Sequence, residues 1–96
     1  METALRVESE LGVTLTRSTN PAVDWVDANG KTYDSVGNFD GRYFDREWPH
    51  LQERILDHPA KADRVPIDVS RFTPAQVHLI QQFILDLGPR VFLVGM

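Results

Sequence analysis

The stretch Val65 to Gln76 (V-P-I-D-V-S-R-F-T-P-A-Q) constrains the fold of this chain more than any other. Val65, Ile67 and Val69 alternate with polar or proline positions, the period-two signature of a half-buried strand. Pro66 has no N–H for a ladder, so the strand is expected at an edge or bulged there. Thr73-Pro74-Ala75-Gln76 then reads as a capping box with proline in the first helical position, and Val77, Ile80, Ile84 and Leu87 mark one face of the helix that follows. Gly88-Pro89 stops it, and Arg90 to Val94 is an apolar run suited to a central strand.

The same reasoning runs backward along the chain. Ala22 to Gly37 reads as a hairpin whose arms flank A-N-G-K, with Asn29-Gly30 in a tight primed turn. Asp24 and Asp34 sit on opposite arms, where such a hairpin brings them close. Phe44, Trp48, Leu51 and Ile55 share a helical face, but Pro49 interrupts it. The expectation is a short turn before Trp48, a helix over about Pro49–Asp57, and a stop at Pro59. The early part of residues 3–15 is expected to form a first helix that ends near Gly12, and Arg17–Pro21 is a loop. The order is α-β-β-α-β-α-β. It gives an α+β fold: one small domain, with an antiparallel sheet of about four strands packed against two or three helices. Residues 1–21 form an N-terminal helical segment and loop, and 22–96 the core.

Ninety-six residues suffice for one core, and 42% hydrophobic with 25% charged residues are globular proportions. No cysteine is present, so there is no disulfide framework and no thiolate zinc site. No apolar run approaches the roughly 18 residues of a membrane span. The net charge of −4 argues against a general grip on nucleic acid. The acidic excess is concentrated, however: residues 1–41 carry seven acids against three bases, whereas residues 42–71 balance six against six.

Several side chains have chemistry to offer, each with a plainer alternative. His58 directly follows a helix end, where the dipole favours an imidazolium; it is a general acid or base, or a surface helix terminus. Lys61 is a phosphate-stabilising cation or a solvated loop lysine. Thr73 is accounted for by its capping role, whereas Ser70 has no assigned duty. Trp25 is a base-stacking residue or core. His50 and His78 lie on helices, and His78 is expected to be structural. Asp24, Asp27 and Asp34 resemble a metal-binding carboxylate set, but the Asp/Glu-x-Lys pattern of metal nucleases is absent.

Four motifs in this order resemble one family. They are D-W-V-D-A-N-G-K-T-Y-D-S-V-G (24–37), D-H-P-A-K-A-D (57–63), P-I-D-V-S-R-F-T-P-A-Q (66–76), and a closing apolar strand ending in Gly95. The family is the C-terminal effector domain of contact-dependent growth inhibition and related polymorphic toxins. Its nearest group is the tRNA-cleaving domains of the barnase/EndoU/colicin/RelE-like class. The resemblance covers roughly residues 22–95. It implies a metal-independent ribonuclease without cofactor, cleaving tRNA in a target bacterium and neutralised by a cognate immunity protein. Such a domain is released from a cell-surface parent and acts in the target-cell cytoplasm, with no membrane contact of its own. By position, His58 and Lys61 match the family's H-x-x-K, Asp34 its G-K-T-Y-D and Thr73 its F-T-P-x-Q. His58 would serve as acid or base, Lys61 as electrostatic stabiliser and Asp34 as orienting group, with Thr73 as a further catalytic candidate. Trp25 and Ser70 would bind substrate. Two departures stand out: Pro59 follows the histidine where an aliphatic residue is expected, and the total charge is acidic. Two other readings compete, a non-catalytic interaction or immunity-type domain and a metal-dependent DNase using Asp24 and Asp34.

Overall fold

The computed structural model describes residues 2–96. Helix α1 (Glu2–Leu11) ends at Gly12, whose φ of +67° lets its N–H reach the Glu8 carbonyl at 2.9 Å. Strands β1 (Leu15–Arg17), β2 (Trp25–Asp27) and β3 (Thr32–Tyr33) form an antiparallel sheet in that order. Strands β4 (Val36–Gly37), β5 (Val65–Asp68) and β6 (Val91–Val94) form a second sheet, wholly parallel, with β5 in the middle. Helix α2 (Phe44–Asp57) connects β4 to β5, and α3 (Pro74–Ile84) connects β5 to β6.

The α+β class read from the sequence is the one observed. The single antiparallel sheet is replaced by two three-stranded sheets, and proline explains how they meet. Tyr33 lies opposite Arg64, Val36 opposite Ile67 and Gly37 opposite Asp68, an unbroken parallel register along residues 33–37. In that register Ser35 faces Pro66, which has no N–H to donate. The ladder therefore lapses for one rung, and the chain counts as two strands where it would otherwise be one. Pro66 does not sit at an edge as expected: β5 is central and fully buried, and Pro66 pairs with Phe92.

Alternation along β5 sorts the core onto two faces. Val65, Ile67 and Val69 point toward α2 and α3, packing with Val36, Phe44, Leu51, Ile55 and Ile80. The opposite face carries Tyr33 and Val94, covered by Val7 of α1. So α1 belongs to the same body as the rest. At about 0.8 kcal/mol per buried methylene, each of these side chains contributes a few kcal/mol.

Two local expectations change. Of the two turn residues, Gly30 has positive φ (+83°) and Asn29 does not. The connection is a four-residue loop held by Asp27, whose Oδ1 accepts from Asn29 N and Lys31 N at 2.9 and 3.0 Å. A carboxylate collecting loop amides replaces the primed turn. Pro49 lies inside α2 rather than beginning a helix. It forfeits one intrahelical bond, but the Phe44–Trp48 stack (centroids 5.2 Å) and the buried Phe44, Leu51 and Ile55 carry the helix across it.

Candidate active site

Asp34 follows Tyr33 in the interrupted strand, so it shares with Val36 the face turned toward α2. Its backbone N–H donates to Arg64 O at 3.1 Å, fixing it beside the start of β5. His58 closes α2, its N–H bonded to Arg54 O, and begins the short 3₁₀ turn His58–Ala60 that contains Pro59. That turn delivers the imidazole to Asp34: His58 Nδ1 lies 2.9 Å from Asp34 Oδ2. Nδ1 is buried, so the 16% of the His58 side chain that is exposed belongs to its other atoms.

The contact is close but off line, and by angle Nδ1 counts as lacking a hydrogen-bond partner. An imidazole nitrogen and a carboxylate oxygen at this separation repel unless a proton lies between them. The electrostatics say where it is drawn. Asp34 is pushed up to about 6, chiefly by burial, then by the charge and hydrogen bond of Asp24; Lys61 and Arg54 oppose this. His58 is pushed below its ordinary value by burial, with Lys61 and Arg54 adding to it. The imidazolium expected from the helix dipole is therefore not favoured, because burial and two cations outweigh a helix terminus. The group is a histidine neutral near pH 7, next to a carboxyl that titrates near neutrality.

Asp24 is held by the edge of the hairpin. Its N–H donates to Tyr33 O (2.9 Å), and its Oδ2 accepts from Ser35 N and Oγ at 3.0 and 3.2 Å. The hairpin thus pairs Asp24 with Asp34, as the two arms predict. Lys61 stands at the mouth, half exposed, with Nζ 3.2 Å from Asp57. The loop bearing Lys61 is clamped to β3 by Thr32, whose N and Oγ1 donate to Asp63 Oδ2 at 3.0 and 3.1 Å.

Not every candidate gathers here. Thr73 caps α3, its Oγ1 accepting from Gln76 N (3.2 Å) while Gln76 Oε1 accepts from Thr73 N (3.0 Å). Ser70 donates its Oγ to Asp68 Oδ1 at 2.6 Å. Both lie past the far end of β5, and from Arg64 to Ser70 the chain runs roughly 20 Å at about 3.3 Å per residue. Trp25 is half-buried against the Val7–Tyr33–Val94 cluster and lines a cleft of about 710 Å³ with Arg17, Asn20 and Asp24. His50 and His78 are both exposed, so His78 is not the packed residue expected. Among the described residues no three His, Asp or Glu side chains converge to hold a metal ion, and no helix is long and apolar enough to cross a membrane.

One buried carboxylate escaped the sequence reading. Asp68, at the end of β5, accepts from Thr3 Oγ1 (2.7 Å), Arg6 Nη1 (2.9 Å), Ser70 N (3.0 Å) and Ser70 Oγ. Burial alone would raise it, but the Ser70 and Thr3 hydrogen bonds and the Arg6 charge hold it below its ordinary value. The signal was present: Asp68-x-Ser70 at a strand end is a side-chain-to-backbone turn pattern.

No protein-family model and no curated protein matches this sequence. Among solved structures, the chain is similar to the CdiA-CT toxin from Burkholderia pseudomallei E479, solved in complex with its cognate CdiI immunity protein. The TM-score is 0.81 at 27% identity, over 97% of this chain and 95% of that one. The resemblance to contact-dependent growth inhibition toxin domains read from the motifs is therefore borne out over the whole fold.

Proposed function

We propose that this chain, which has the fold and extent of a contact-dependent growth inhibition toxin domain, is a metal-independent ribonuclease acting on tRNA. The observation that carries the proposal is the His58–Asp34 contact at 2.9 Å, with Asp34 raised to about 6 and paired with Asp24. Above that pH the Asp34 carboxylate orients His58 through Nδ1–H, leaving Nε2 to accept a proton. In RNA that proton comes from the ribose 2′-hydroxyl. The 2′ oxygen bonds to phosphorus, the bond from phosphorus to the 5′ oxygen breaks, and that oxygen leaves as a hydroxyl after taking a proton from solvent water. The products are a 2′,3′-cyclic phosphate and a 5′-hydroxyl end. Lys61 supplies positive charge for the phosphorane oxygens.

On the same reading a cognate immunity protein neutralises the domain, which is delivered into a target cell from a surface-borne parent. A metal-dependent nuclease using Asp24 and Asp34 is the competing reading, and metal dependence separates the two. The test is incubation of the purified domain with total bacterial tRNA, with and without EDTA, beside His58→Ala. Discrete fragments that persist in EDTA and fall at least about 10²-fold in rate in the variant are expected. Intact tRNA throughout, with cell extract added, favours a non-catalytic interaction domain. Cleavage abolished by EDTA favours the metal enzyme.

A further inference from the structure

Helix α2 and the 3₁₀ turn before it place a cation-forming residue at every fourth position: Arg42, Arg46, His50, Arg54 and then His58. Four residues exceed one turn of about 3.6, so each step rises roughly 6 Å and rotates roughly 40° around the axis. The row therefore starts on the solvent side and drifts to the flank of the buried face. Arg42, Arg46, His50 and Arg54 are exposed, and His58, at its end, is the half-buried base of the site. Asp45, Glu53 and Asp57 occupy the neighbouring row, Glu53 lying 4.0 Å from His50, and Glu47 borders the row on its other side and joins the wall of the cleft beside it.

Three further observations separate this row from an ordinary solvated helix face. Among the described residues, Arg46 and Arg54 have no carboxylate within ion-pair distance, unlike Arg42, which lies 3.4 Å from Asp40. The guanidinium groups of Arg42 and Arg46 sit over the half-exposed ring of Tyr43, 5.0 and 4.9 Å from its centre. A concave cleft of about 230 Å³ runs beside the row, with Phe39, Tyr43, Arg46, His50 and Arg54 in its wall. Arginines held over an aromatic ring beside a groove, two of them without a carboxylate partner, are components that grip a phosphodiester backbone.

We infer that this row is the track along which a single-stranded nucleic-acid backbone runs into the His58 site. The inference rests on the nuclease reading and names the part of that site that grips substrate away from the reacting phosphate. It reconciles a net charge of −4 with a polyanionic substrate, because the positive charge is local and ends at the base. An acidic protein would match the charge as well. Continuity of the row with a phosphodiester-cleaving centre favours the nucleic acid.

The test uses His58→Ala protein, so that binding is read without cleavage, and a short fluorescent single-stranded RNA, with DNA of the same sequence as a second arm. Affinity is measured by anisotropy across a salt series. Arg46→Gln and Arg54→Gln, each added to His58→Ala, are expected to lower the slope of log affinity against log salt by about 0.7. Lys31→Gln, an exposed cation on the hairpin loop, should leave it unchanged. Equal effects in both arms mark a backbone track, and a larger effect for RNA marks one that also reads the ribose; either supports the inference. A slope unchanged in the Arg46/Arg54 double variant would overturn it. So would the absence of salt-dependent binding to either strand, which would leave the row to an acidic protein partner. Neither result depends on whether the wild-type domain cuts tRNA, so the two readings fail separately.

Discussion

Asp34 and Asp68 are buried carboxylates on the same short stretch of sheet, 8% and 0% exposed, yet their acidities move in opposite directions. Asp68 is the more buried and is held low; Asp34 is raised to about 6. Burial therefore does not decide the matter. Asp68 faces four donor contacts, one of them from a guanidinium, which stabilise its charge more than desolvation costs. For Asp34 burial acts together with the charge and hydrogen bond of Asp24, and Lys61 and Arg54 offset them only in part. One end of β5 is a satisfied structural ion pair; the other is a proton held in reserve. In open parallel sheets, ligands usually bind beyond the carboxyl ends of the strands. Here that end is filled by α1 through Arg6 and Thr3, and the His58–Asp34 contact sits at the opposite end.

Removing the carboxylate at each end should separate the two roles. Asp68→Ala removes the buried acceptor of Thr3 Oγ1 and of the Ser70 amide and hydroxyl and leaves a void, and is expected to cost about 3 kcal/mol in urea denaturation. Residual activity should follow the folded fraction. A loss under about 1 kcal/mol would mean that Asp68 is not the anchor described. Asp34→Asn should do the reverse, lowering the cleavage rate at least about 10²-fold with little change in the denaturation midpoint. If the rate survives, the orienting role given to Asp34 is lost.

The pH dependences should also oppose each other. Between the ordinary carboxylate range and about pH 6, folded Asp34 keeps a proton that the unfolded chain releases, so its contribution to stability declines as pH rises. Folded Asp68 gives up its proton earlier than the unfolded chain, so its contribution is present above the ordinary range and lost as pH falls. Difference curves against Asp34→Asn and Asp68→Asn should show slopes of opposite sign. In kinetics, the acidic limb for cleavage should inflect near 6 and move lower in Asp24→Asn, since the Asp24 charge helps raise Asp34. An unmoved limb would assign it to another group. The smallest effect should be that of Thr73→Ala, about 1 kcal/mol from the lost cap. A large loss of cleavage without loss of stability would instead return Thr73 to the catalytic set.

What the sequence revealed was local. The α3 capping box, the Gly12 stop and the limits of the Ala28–Lys31 loop are written in a few adjacent residues, and each was read correctly. The parallel pairing of β4 with β5 was not, because register across thirty residues leaves no mark in either segment. Strand β1, only Leu15–Arg17, is too short to show a period. The most costly misreading was Pro49. Breaking the helix there also broke the row of Arg42, Arg46, His50, Arg54 and His58, whose spacing has meaning only on one continuous helix. For the site, His58, Lys61 and Asp34 came from motif resemblance and the Asp24–Asp34 approach from hairpin geometry. The lowered histidine could not be foreseen, since it depends on burial by residues far apart in the chain.

The missing rung at Pro66 bears on more than the strand count. With no amide proton at that position, the antiparallel hairpin and the parallel βαβαβ layer are not joined by a continuous hydrogen-bonded ladder. Asp24 lies on the hairpin side of this seam and His58 on the other, with Asp34 at the junction. Thr32 O and the Asp34 N–H still bond to Arg64 beside that gap, so the candidate site spans the seam and lies wholly in neither sheet. A substitution that loosens the hairpin alone is expected to part Asp24 from Asp34 before the parallel layer unfolds.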